Sequence, residues 1–229
     1  VANARFAPHF PPKAKRIIYL FQSGAPSQMD LFDPKPQMEK YRGENLPDSI
    51  RKGQRLTTMT SGQKSFPVAP SMFSFAQHGQ SGMWFSDLVP NMARHADRWC
   101  MIRSMHTEQI NHDPAHTFMN CGTALSGRPS MGAWVTYGLG SEADDLPGFV
   151  VMTSKLGRNP QPIAARQWHS GFLPGQFQGV EFSTSGAPVH YVENPAGVSS
   201  VHQRDVIETV TALEHHRLKK INDPDVVVR

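Results

Sequence analysis

RIIYLF, Arg16 to Phe21, is an unbroken run of β-branched, aliphatic and aromatic residues behind one arginine. A strand with one wet face alternates apolar with polar side chains, whereas a strand covered on both faces, as in a parallel sheet flanked by helices, does not. RIIYLF therefore predicts a first central strand. WCMIRSM (Trp99 to Met105) and GFVVMTS (Gly148 to Ser154) predict a second and a third, and PVHYVE (Pro188 to Glu193) a further one. Helical patterns lie between them. Ser86 as N-cap, Asp87 and Pro90 in the first turn, and Leu88, Met92 and Ala96 at fourfold spacing predict a helix to about Asp97. His112 to Leu125 predicts another, and Ser130 caps a short one, Met131 to Leu139, closed by Gly140. Ser199 or Ser200 opens a long helix with Val206, Val210 and Leu213 on one stripe and a basic HHRLKK end that complements the helix dipole. Alternation of this kind predicts an α/β fold with a mainly parallel sheet flanked by helices. The expected organisation is an extended N-terminal arm over residues 1–15 and a single α/β domain over 16–229, with loop-rich excursions near 34–75 and 157–186.

Composition removes several function classes. The 229 residues are 38% hydrophobic, which is enough for a core and too much for a disordered tail. The longest apolar run, Ile17 to Phe21, falls far short of the ~20 residues that a bilayer crossing needs, so no membrane span is expected. No signal peptide is read at Val1. A net charge of +4, scattered along the chain with no basic stripe, argues against nucleic acid as a partner. With 18 glycines and 19 prolines, long ordered loops should join short elements, and loops are where sites concentrate. Cys100 and Cys121 can form at most one bridge, so the chain is no disulfide scaffold.

In an open parallel sheet, ligands bind at the carboxyl ends of the strands, where loops converge. The loop after RIIYLF brings Ser23, Ser27, Asp30 and Asp33; that after WCMIRSM brings His106, Glu108, His112, Asp113 and His116; that after GFVVMTS brings Lys155 and Arg158. A helix opening near His112, supported by Pro114 in its first turn, sets His112 and His116 four apart on one face, where two imidazoles can share a divalent metal. Asp30 would complete a mixed nitrogen and oxygen site suited to zinc, manganese or iron more than to magnesium. Asp113 or His106 would orient a ligand through a hydrogen bond. The bland alternative stays open: the chain has 11 histidines, Asp113 can cap the helix, and the imidazoles can hydrogen-bond to loop carbonyls. Ser27 is a candidate nucleophile, although GAPSQ is not the G-x-S-x-G elbow and a turn serine is the plainer reading.

Four stretches carry a family resemblance: HFPPKAKRIIYLFQSGAPSQMDLFDPKP, HGQSG at His78 to Gly82, CMIRSMHTEQINHDPAH, and FMNCGTALSGRPSMGAWVTYGLGS, all within Pro8 to Ser141. In them the chain resembles domain-of-unknown-function family fifteen-oh-one, an exported bacterial family grouped with the alkaline phosphatase and sulfatase superfamily. The resemblance implies an alkaline-phosphatase-like sheet of which these residues form the N-terminal half, completed by the remainder of its own chain or by another subunit. It also implies a twin-arginine export signal upstream of Val1, a periplasmic or extracellular location, a divalent metal ion, and a small-molecule or polysaccharide ester as substrate. HDPAHTFMNCG, His112 to Gly122, falls on the sulfatase signature C/S-x-P-x-R-x-x-x-x-T-G with Pro114 and Gly122 matching. His112 stands where the nucleophile would be, His116 replaces the arginine and Cys121 the threonine. A histidine cannot become formylglycine, so His112 would act as a metal ligand or as a nucleophile itself. Two functions follow as expectations. One is a metal-dependent hydrolase of sulfate or phosphate esters, with Asp30, His112 and His116 as ligands. The other is a non-catalytic binding or envelope scaffold that keeps the fold without the activity.

Overall fold

The structure is a computed structural model that describes residues 10, 11, 13–24, 26–57, 60–142, 145–154, 161–183, 185–189 and 193–221. The chain divides into two compact units, Leu20–His112 on the one hand and Val1–Tyr19 with Asp113–Arg229 on the other.

The unit of residues 20–112 carries α1 (Gln28–Leu31), α2 (Asp48–Arg51), β1 (Phe75–His78), β2 (Met83–Ser86) and α3 (Pro90–Ala93), with 3-10 turns at Pro36–Tyr41 and Ala96–Arg98. β1 and β2 form an antiparallel hairpin from Phe75↔Ser86 to His78↔Met83. Its GQSG turn is fastened from below: Asp97 Oδ1 accepts the Gln80 and Ser81 amides at 2.7 and 3.3 Å. Gly79 sits there at φ +69°, and a Cβ would run into that carboxylate. Phe85, only 1% exposed, centres the core with Ala93 and Ala96. The rings of Phe32 and His78 meet it edge-on at 5.8 and 5.9 Å. The helix expected from Ser86 starts at Pro90 instead. Ser86 is buried at the end of β2, opposite Phe75, while the ring-locked φ of Pro90 suits a first helical residue.

α4 (His112–Cys121) begins on the last residue of that unit. The other unit then continues through α5 (Met131–Leu139), β3 (Val150–Met152), 3-10 turns at Ala165–Gln167 and Gly175–Phe177, β4 (Val180–Phe182) and α6 (Ser200–Ile221). α4 stops at Cys121, short of the expected Leu125, because Gly122 turns to φ +71° and its amide bonds back to the Phe118 carbonyl at 2.8 Å. α5 has the expected bounds. Ser130 Oγ accepts the Ala133 amide at 3.3 Å, and Gly140, at φ +77°, bonds to the Thr136 carbonyl. β3 pairs in parallel with β4, Val150↔Val180 through Met152↔Phe182. β4 lies where a loop was expected. The core gathers Pro129, Ser130, Ala133 and Trp168. Gly132 leaves room for the Phe149 ring, and Gly171 lies against the Arg128–Pro129 peptide. At the start of α6, Ser199 Oγ accepts the His202 amide at 3.2 Å, but Val206, Val210 and Leu213 stand half or more exposed.

Two expected central strands differ from the structure. Neither residues 16–21 nor 99–105 form a strand, and Ile18 and Leu20 are 85% and 83% exposed. A strand needs neighbours for its backbone N–H and C=O groups, and among the described residues the sheets are two separate pairs. Of the PVHYVE run, Val189 bridges to Phe182, while residues 190–192 lie outside the described residues, as do 1–9 of the N-terminal arm. Among the described residues no helix is long and apolar enough to cross a membrane.

Two glycines with similar positive φ separate backbone preference from crowding. Gly122→Ala, with nothing within 4 Å of its Cβ, should cost about 1 kcal/mol, the left-handed penalty alone. Gly171→Ala, pressed on the Arg128–Pro129 backbone, should cost about 2 kcal/mol more. Urea unfolding of the two variants checks this, and equal costs would contradict the packing described.

Candidate functional site

In the unit of residues 20–112, Ser27 is the N-cap residue of α1 but its side chain does not cap the helix. The Ser71 and Ser27 hydroxyls donate to the Asp30 carboxylate, which holds its pKa below the ordinary carboxylate range. Asp33 close by pairs with Lys35 at 2.7 Å and with Arg103 at 3.7 Å. His106 and Glu108 are exposed on a stretch without regular structure, and His112 is exposed as the first residue of α4.

In the other unit the chemistry collects on α4. Asp113 forms an ion pair with Arg166, whose Nε donates to Thr117 Oγ1 at 3.3 Å. Thr117 in turn donates to the Asp113 carbonyl at 3.0 Å, so hydroxyl, carboxylate and guanidinium make one connected group on the first turns of the helix. His116 lies on the same turns, 5% exposed, and its carbonyl takes the Asn120 side-chain amide at 2.8 Å. At the helix end the Cys121 thiol donates to the Arg166 carbonyl at 3.4 Å. Burial pushes the pKa of this thiol up, which keeps it protonated and unreactive at neutral pH. Cys100 and Cys121 are both free thiols.

The sequence placed His112, Asp113 and His116 on one helix start, and the structure does the same. Asp30 belongs to the other unit, with its carboxylate engaged by two serines. Two imidazoles supply only part of a metal site, and among the described residues no three of His, Cys, Asp or Glu gather into one. Lys155 and Arg158 lie outside the described residues. Arg166 and Ser71 escaped the sequence reading because nothing local marks them. Arg166 meets Thr117 across 49 positions, and AARQW reads as plain polar loop.

A family model described as a protein of unknown function (DUF1501) matches residues 14–229. No curated protein and no solved structure matches the chain.

The serine contacts make Asp30 a pH reporter. Its pKa is lower folded than unfolded, so it adds stability above the unfolded value, and that contribution is lost as pH falls through the folded one. Ser71→Ala removes the larger cause, and the Asp30 midpoint in a carboxyl-detected NMR titration should move up towards the ordinary range. An unmoved midpoint would contradict the assignment.

Proposed function

The chain belongs to the DUF1501 family of proteins of unknown function, and on that footing we propose that it is an exported hydrolase-like protein of the alkaline phosphatase and sulfatase kind, binding the oxyanion of a sulfate or phosphate ester beside α4. The observation that carries this reading is Arg166, held in place by Asp113 and Thr117 at the helix start. A guanidinium has five N–H donors in a planar fork that fits tetrahedral oxyanions. The bonds to Asp113 and Thr117 use two of them, leaving others for ester oxygens. The N-terminal end of α4 adds the positive end of the helix dipole. In the sulfatase signature an arginine stands where this chain has His116, and Arg166 returns a guanidinium to that helix from a distant part of the sequence. His116, on the first turns of the same helix, is the imidazole assigned here to protonate a leaving oxygen. Asp113 acts through Arg166 by orienting it.

The alternative, a binding or envelope scaffold without turnover, is supported by the same ion pair taken as a structural tie. The two side chains are 32% and 55% exposed, within the range where such pairs serve only to fix a loop.

Turnover of an aryl sulfate and an aryl phosphate, measured after incubation with zinc, manganese or iron, separates the two. The hydrolase reading expects activity that falls about 10²-fold in Arg166→Ala and is partly kept in Arg166→Lys. Absence of turnover under all three metals, or activity indifferent to Arg166→Ala, leaves the scaffold.

A further inference from the structure

α5 carries Trp134 and Tyr137 three residues apart, so they share one face of the helix, and their rings meet edge to face at 5.9 Å. The row continues at both ends: Phe172 meets Trp134 at 5.8 Å and Phe177 meets Tyr137 at 5.2 Å, each again steeply inclined. Phe172 is 66% exposed, Trp134 45% and Tyr137 41%, so three of the four rings keep much of their surface in water. A contiguous apolar patch of this kind marks a binding surface. Beside it lies an open cleft of about 390 Å³, between Pro147–Gly148 and the residues that flank Phe177, with Gln176 and Gln178 exposed along it. The Gly175–Phe177 turn joins the two features, since the Phe177 ring packs on Tyr137 while its neighbours line the cleft. Among the described residues no charged side chain lines it.

We propose that this aromatic row and the cleft beside it bind a neutral oligosaccharide lying along α5. A pyranose ring shows C–H groups on its faces and hydroxyls around its rim. The C–H groups carry slight positive charge and rest on the negative face of an aromatic ring. The hydroxyls both donate and accept, and they need partners that do the same. A glutamine amide is such a partner, with an acceptor oxygen and two N–H donors, whereas a carboxylate only accepts and an ammonium only donates. Charge selects the ligand again: an acidic sugar would bring an anion to a cleft that has no cation to pair with it. Gly148, Gly175 and Gly179 add wall without side chains, which lets a sugar ring come close. Rings in a row fit several linked sugars better than one. The inference is separate from the ester reading, since a neutral sugar offers no oxyanion to Arg166.

Cellohexaose, chitohexaose and maltohexaose are the probes, uncharged chains that differ in linkage and substituents. Isothermal titration should show at least one of them binding with a Kd of about 1 mM or below. Phe172→Ala, and separately Gln176→Ala with Gln178→Ala, change exposed positions and should each weaken that binding about 10-fold with an unchanged thermal melt. Phe172→Tyr, which keeps the ring, should retain it. Failure of all three sugars to bind, undiminished affinity in either alanine variant, or tighter binding of a proline decamer, which also lies on aromatic rings, would each overturn the assignment.

Discussion

One residue fastens the second unit together. Arg166 reaches the start of α4 with its side chain, through Asp113 and Thr117, and the end of the same helix with its carbonyl, through the Cys121 thiol. Eight residues of α-helix rise about 12 Å, so the turn around Arg166 must run alongside α4 instead of touching it at a point. The residues that follow inherit this placement. The Trp168 carbonyl takes the Gly179 amide at the approach to β4, and the His169 carbonyl takes the Ser130 amide at the cap of α5. His169 Nδ1 also accepts the Gly171 amide at 2.8 Å, which sets the close approach of Gly171 to the Arg128–Pro129 peptide. α4, α5 and the parallel pair are thus joined by one short stretch. Its polar ties are individually modest, since a partly exposed ion pair contributes about 0–1 kcal/mol, and the burial of Trp168 and Ala133 supplies more. The ties decide which arrangement forms; the burial makes it stable.

What the sequence disclosed follows from how local each signal is. Ser130 and Gly140 mark α5 because capping involves residues within one turn, and the start of α4 at His112 is legible for the same reason. β3 was readable from GFVVMTS, but β4 was not, since GVEFS is too short to stand out without its partner. The hairpin of β1 and β2 had a signal that went unread: two short runs, FAQH and MWFS, separated by GQSG. Ser86 was misplaced because a serine before an apolar pattern reads as a cap whether or not a strand has already claimed it. RIIYLF and WCMIRSM show the limit of the periodicity argument. Apolar content on both faces tells what a strand would need around it, and among the described residues those neighbours do not appear. Arg166 could not be found at all, because its value lies in contacts 45 to 53 positions away.

The central claim, that Arg166 ties the 161–171 stretch to the first turn of α4, is tested most directly by a double-mutant cycle. Unfolding free energies of wild type, Asp113→Asn, Arg166→Gln and the double variant give the coupling between the two side chains. The account predicts a favourable coupling of about 0.5–1 kcal/mol, as expected for a partly exposed ion pair in contact. A coupling indistinguishable from zero would mean that the two groups do not meet, and both ends of α4 would lose the anchor on which this account rests.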